Sequence, residues 1–153
     1  MFDEQIERLL QGPCYLIDTL PEQVPPNSEG RYFTIDDFFT KPEQLKKLHH
    51  LFAIIILKLN CYYAMNVSFD NGLSWQDDID PEDFIGKMED LEDNGFVRII
   101  FAKQDILIDI DGCDTWLTIY GDNDSFLKLI EKLCLGHGLF FSQSDQLIKG
   151  TKL

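Results

Sequence analysis

Apolar residues at Phe2, Ile6, Leu9 and Leu10 recur at the spacing of one helix face, and Gly12-Pro13 then interrupts the run. The chain is therefore expected to open with a short amphipathic helix. Cys14 to Ile17 reads as a strand. From Asp18 to Gly30, Pro21, Pro25 and Pro26 each remove a donor and restrict the residue before them, so this stretch is expected to be a long ordered loop or a flexible arm. Thr40 and Glu43 have capping-box spacing around Pro42, and Leu45, Leu48, Phe52, Ile55 and Leu59 continue a 3.6-residue period. That pattern predicts a buried helix from 41 to 60. The β-branched run Ile54-Ile55-Ile56 keeps open the alternative of a shorter helix followed by a buried strand.

Tyr63, Met65, Val67 and Phe69 alternate with smaller or polar neighbours and predict a strand that ends at Asp70-Asn71-Gly72. Asp80 before Pro81 is a good helix N-cap, with Phe84, Ile85, Met88 and Leu91 as the apolar stripe and Asn94-Gly95 as the stop. Phe96 to Phe101, Asp105 to Ile110 and Thr115 to Tyr120 are strand-like runs joined by short loops, the pattern of an antiparallel meander. Asp111-Gly112 is expected to form a tight turn with Gly112 at positive φ. Asn123 or Asp124 caps a helix carrying Phe126, Ile130 and Leu133, Gly136 closes it, and Leu139 to Ser142 offers a last strand. The fold class that follows is α+β: a largely antiparallel sheet of five or six strands with helices packed on one face, as a single domain over residues 1–153.

The meander also assigns faces. With Ile106, Ile108, Ile110, Leu117 and Ile119 inward, Asp105, Leu107, Asp109, Trp116, Thr118 and Tyr120 point the other way, and Arg98 joins them if Val97 and Ile99 are inward. A face that mixes aromatics with acids has the chemistry of an interface, unless a helix or the proline-rich loop covers it.

Composition narrows the class. With 153 residues, 44% hydrophobic and 26% charged, the chain is long enough to bury a core without a metal or disulfide staple. Its amino terminus lacks the pattern of a secretory leader and no apolar run approaches a membrane span, so a cytoplasmic location is expected. Cys14, Cys61, Cys113 and Cys134 lie far apart without a C-x-x-C spacing and are expected to be reduced core thiols.

The segments Leu16-Ile17-Asp18-Thr19-Leu20-Pro21-Glu22-Gln23-Val24-Pro25, Gly30-Arg31-Tyr32-Phe33, Leu57-Lys58-Leu59-Asn60-Cys61-Tyr62-Tyr63 and Gly138-Leu139-Phe140-Phe141 resemble those of a family of small uncharacterised bacterial proteins. The resemblance covers most of the chain. It implies a bacterial cytosolic setting and transfers no activity and no catalytic residue.

Candidate chemistry is sparse. Asp109-Ile110-Asp111-Gly112-Cys113-Asp114 resembles a calcium loop superficially, but the twelfth position counted from Asp109 is Tyr120 where a bidentate Glu is required. Gly121-Asp122-Asn123-Asp124 reads as a turn into a helix cap. His49 and His50 are adjacent, so on a helix they point about 100° apart and do not converge on one ion; a solvated helix face is expected for the pair. His137, between Gly136 and Gly138, suits a helix C-terminus that favours its charged form. A nucleophile–base pair of Cys61 or Cys113 with His137 is arithmetically open, and so is a small hydrolase built on the carboxylates Asp109 and Asp111. No residue is assigned as catalytic or metal-binding, and no cofactor is expected.

Charge carries more information than any motif. The formal net charge is −14, and its densest stretch holds Asp70, Asp77, Asp78, Asp80, Glu82, Asp83, Glu89, Asp90, Glu92 and Asp93 against Lys87 alone. Such a field repels nucleic acid and anionic membranes and steers a basic partner, or merely keeps a helix solvated. The expected function is a non-catalytic cytosolic protein-binding domain, for instance an inhibitor or immunity-type protein. Its partner-binding residues are expected to be Trp75, Asp77, Asp78, Asp109, Trp116 and Tyr120. A small hydrolase and a small-ligand or oligomerisation module are the alternatives.

Overall fold

The computed structural model describes residues 1–92 and 94–143. In chain order it contains α1 (Asp3–Leu10), β1 (Cys14–Asp18), α2 (Arg31–Phe39), α3 (Pro42–Asn60), β2 (Asn66–Ser68), α4 (Pro81–Glu89), β3 (Phe96–Phe101), a 3₁₀ turn (Ala102–Gln104), β4 (Ile106–Asp111), β5 (Leu117–Tyr120), α5 (Asp124–Gly136) and β6 (Phe140–Gln143). The strands form one sheet in the order β2-β3-β4-β5-β1-β6, antiparallel at every pairing. The expected α+β class is what the chain adopts. The meander supplies β2 to β5, and β1 enters between β5 and β6.

The run Ile54-Ile55-Ile56 lies inside α3. Leu45, Leu48, Phe52, Ile55, Ile56 and Leu59 are all buried along one side of that helix. Helix propensities of β-branched residues differ from those of the best formers by less than about 1 kcal/mol, whereas burying each large side chain contributes about 1.5–3 kcal/mol. The capping box does not form. Lys41 is the extended N-cap without a side-chain bond, because Thr40 ends α2 and donates its hydroxyl back to the Asp37 carbonyl at 3.2 Å.

Other boundaries move for local reasons. β2 begins at Asn66 rather than Tyr63 because Tyr63 still belongs to the close of α3: its N–H reaches Leu59 O at 3.0 Å and its carbonyl accepts from Asn60 Nδ2 at 3.0 Å. α4 ends at Glu89, before the expected Asn94-Gly95, and its N-cap is Asp80 as expected, accepting from the Asp83 N–H at 3.0 Å. β4 starts after Asp105, which is left-handed at φ 60°. α5 ends at Gly136 as expected, and a Schellman arrangement centred on Gly138 follows: Leu139 N–H bonds Cys134 O at 2.8 Å and Gly138, at φ 74°, bonds Leu135 O.

The expected positive φ at Gly112 is overturned, since that residue is not among the left-handed glycines. The link from β4 to β5 is a longer loop whose turn is closed by Asp114 N–H on Asp111 O at 3.2 Å. Glycine is needed at 112 for space: a Cβ there would lie 1.8 Å from the carbonyl oxygen of Glu92.

α3, α4 and α5 cover one face of the sheet. Phe52, Leu59, Phe84, Met88, Phe126 and Ile130 meet Ile17, Val97, Ile99, Ile108 and Ile119 there. α1 covers one corner of the opposite face, with Ile6 and Leu9 on Ile100 and Leu107. It is anchored by Arg8, which donates to both oxygens of Asp105 at 2.6 and 3.0 Å, and by Gln5, which bonds Ala102 O and Asp105 Oδ1.

Candidate functional site

Strand alternation puts Arg98, Asp109, Thr118 and Leu16 in one row across the α1 side of the sheet, as the pairings Arg98 with Asp109, Asp109 with Thr118 and Thr118 with Leu16 require. α1 stops short of this row. The remainder is a shallow cleft of about 260 Å³ whose walls include Phe96, Asp111, Asp114, Trp116 and Tyr120. On its floor Arg98 Nε and Nη2 donate to the two oxygens of Asp109 at 2.8 and 2.9 Å, and the guanidinium lies 5.2 Å from the Phe96 ring centroid.

Burial raises the Asp109 carboxyl above its ordinary value, opposed by the hydrogen bonds and charge of Arg98. Burial and the charge of Asp111 raise Asp114. Burial, then Cys14 and Asp109, push the Tyr120 phenol up to about 12. Both oxygens of Asp109 accept from Arg98, so Asp109 and Asp111 do not form a pair of free carboxylates for acid–base work. Among the described residues no group of three or more His, Cys, Asp or Glu is placed to hold a metal ion.

The six expected binding residues thus divide. Asp109, Trp116 and Tyr120 line the cleft together. Trp75 supports α1 instead, with its ring edge-to-face on Phe2 at 5.2 Å and its indole N–H buried without a hydrogen-bond partner among the described residues. Asp77 and Asp78 are exposed on the loop that follows the Val67–Gln76 bridge.

The histidines and cysteines also depart from expectation. His50 is on the solvated side, with Nδ1 3.3 Å from Glu89, but its neighbour His49 is 1% exposed. His49 lies against the backbone of Asp114, its two nitrogens lack hydrogen bonds of good geometry, and burial lowers its pKa. His137 does follow α5, yet its pKa is lowered rather than raised: partial burial and the adjacent Lys58 ammonium, 3.0 Å from Nε2, outweigh the helix end. Cys134 is a core thiol pushed up to about 12 by burial. Cys61 and Cys113 are exposed, because one follows the end of α3 and the other sits in the β4–β5 loop. Cys61 Sγ faces the Leu57 carbonyl at 3.6 Å, and the Cys113 thiol is raised by burial and by Asp114 and Asp111, the opposite of what activates a cysteine nucleophile.

The largest feature went unread in the sequence. α2 has no buried residue, while Tyr32, Phe33, Ile35, Phe38 and Phe39 are 39–69% exposed. At about 100° per residue, Tyr32, Ile35, Phe38 and Phe39 lie within about 120° of the helix, and Phe33 stands about 100° off that stripe. The stripe Tyr32, Ile35, Phe38 and Phe39 was the available signal, but spacing along the chain does not record that this stripe stays in solvent. Beside α2, Asp18 at the end of β1 accepts the N–H and hydroxyl of Thr19 at 2.6 and 3.3 Å. Burial and the charge of Asp36 raise the Asp18 carboxyl, and burial with Asp36 and Asp18 raises the Tyr32 phenol. No described cation forms an ion pair with Asp18 or Asp36. Past the end of α2, a groove of about 700 Å³ runs between the start of α3 and the end of α4, lined by Glu43, Lys46, Glu89, Asp90 and Glu92 among others.

No described helix is long and apolar enough to cross a membrane. The chain matches no family model, no curated protein sequence and no solved structure.

Proposed function

We propose that this protein is a non-catalytic protein-binding domain that engages a basic partner, acting as an inhibitor or immunity-type protein in the bacterial cytosol. The observation that carries the reading is α2, a nine-residue helix with five large apolar side chains exposed and none buried. Contiguous apolar surface of this kind marks interaction sites, and aromatics are favoured anchors at interface centres. The net charge of −14 supplies long-range attraction for a basic surface. The sheet-face cleft, at about 260 Å³, falls below the roughly 300–1,000 Å³ typical of small-molecule sites and suits a single side chain of a partner. Asp109, Trp116 and Tyr120 are its contact residues, and Asp77 and Asp78 belong to the steering field.

The test is surface kinetics on a partner captured from cells, using variants shown to be folded by circular dichroism. Phe33→Ser with Phe38→Ser, and separately Trp116→Ala, are expected to raise the dissociation rate. Reversing Asp77, Asp78 and Glu82 is expected to lower the association rate, with the difference shrinking at high salt. Binding unaffected by all three sets rejects the reading.

A further inference from the structure

The exposed face of α2 and its acidic border together specify what covers it. Ile35, Phe38 and Phe39 lie on one side of α2 and are 55%, 45% and 39% exposed, with Tyr32 at the edge of that side. Asp36 is the one half-buried residue of the helix, one turn from Tyr32, and its charge acts on both Tyr32 and Asp18. This is an apolar surface bordered by two half-buried carboxylates that no described cation neutralises. Arg31 is committed to Glu29 at 3.5 Å, and Lys41 stands over the Phe38 ring at 5.8 Å.

Resting on the protein-binding reading above, we propose that the occupant of this face is a basic amphipathic helix of a partner protein, whose apolar side covers Ile35, Phe38 and Phe39 while a Lys or Arg side chain enters between Asp18 and Asp36. Charge selects this occupant. A second copy of the chain brings another −14 and a second set of the same carboxylates to the interface, and like charges placed together across an interface oppose association. A phosphate-rich surface is disfavoured for the same reason. A cation at Asp18 and Asp36 relieves the repulsion between them, and the aromatic ring of Tyr32 beside that position adds cation–π attraction.

The experiment titrates the full chain with two synthetic helical peptides of about 18 residues. They share one leucine face; the first has Lys and Arg on its polar side, and the second has Gln there. Fluorescence anisotropy reads binding, and sedimentation velocity reads self-association. The basic peptide is expected to bind at least about tenfold tighter than the Gln peptide, and Asp18→Asn with Asp36→Asn is expected to remove that advantage without changing the Gln peptide. Ile35→Ser with Phe38→Ser should abolish binding of both. Asp3→Asn with Glu4→Gln, acids remote from α2, should leave the preference within about twofold.

Equal binding of the two peptides, lost in the Ile35/Phe38 variant, overturns the basic occupant and leaves the protein-binding reading standing. A preference for the basic peptide that survives both the α2 and the Asp18/Asp36 substitutions reflects overall charge and also overturns it. Self-association that disappears in the Ile35/Phe38 variant makes a second copy the occupant. Failure of both peptides to bind, with no self-association, rejects α2 as a docking face.

Discussion

Arg98 holds Asp109 across adjacent strands with two charge-assisted bonds, Nε at 2.8 Å and Nη2 at 2.9 Å, and both side chains are largely removed from water at 16% and 11% exposure. Removing one partner strands the other charge in a poorly solvated site. Asp109→Ala is expected to lower the unfolding free energy by about 3 kcal/mol. The double change Arg98→Met with Asp109→Leu is expected to recover most of that loss, because neither charge then needs solvation. Urea midpoints of the three proteins check both statements, and a mild effect of Asp109→Ala would show the pair to be solvated.

Gly112 and Glu92 make the second case. A Cβ at Gly112 would lie 1.8 Å from the Glu92 carbonyl oxygen, so Gly112→Ala must push two backbone segments apart. The expected cost is about 2–3 kcal/mol, from overpacking rather than from φ. Gly138→Ala is the control: at φ 74° with no atom within 4 Å of the added carbon, it should cost about 1 kcal/mol from backbone conformation alone. Thermal or urea unfolding that reverses this order rejects the assignment of steric need to Gly112.

His49 makes stability depend on pH near neutrality. Its folded-state pKa lies below the ordinary 6.5 because burial disfavours the imidazolium. The unfolded chain therefore binds the extra proton first as pH falls, and the folded state loses stability progressively below about pH 6.5. Between about pH 7 and 5.5 His49→Leu should flatten the profile. His137, also shifted downward, acts with the same sign, so His137→Gln should remove a further part of the slope. A profile unchanged by His49→Leu would contradict the burial argument.

Asp70 is held by hydrogen bonds rather than by burial. Its carboxylate accepts from Ser74 Oγ at 2.5 Å, Ser74 N at 2.9 Å and Ser68 Oγ at 2.8 Å, which lowers its pKa to about 2. The stabilisation from these bonds is present above the ordinary carboxylate value near 3.8 and is lost as pH falls toward 2. An NMR titration of the side-chain carboxyl should place its midpoint near 2, and Ser74→Ala should move it upward. A midpoint near 3.8 in the wild type would show that the Ser74 bonds do not persist in solution.

How far the site was legible follows from what each residue's position depends on. Period-2 alternation assigns Asp109, Trp116 and Tyr120 to one face; the register of β4 and β5 places Asp109 and Tyr120 there, and Trp116, just before β5, lines the same cleft. Trp75 was not separable from them, since its place under Phe2 depends on how α1 crosses the sheet. His49 and His50 differ by one position in sequence, and only the packing of α3 decides that one is core and the other bonds Glu89.

Local pattern by itself determined the elements whose apolar positions recur at a regular spacing. α3 is fixed by a stripe from Leu45 to Leu59, β3 to β5 by alternation and short links, and the N-cap at Asp80 by a side chain three residues from its partner. These depend on neighbours within a turn or across a short loop, so spacing along the chain records them. Tertiary structure alone decided that β1 inserts between β5 and β6, that Gly112 must pass beneath the Glu92 carbonyl, and that α2 stands with its aromatic side chains in solvent. Each of those depends on segments far apart in sequence meeting, or failing to meet, and a linear pattern of apolar positions has no term for which surfaces find each other.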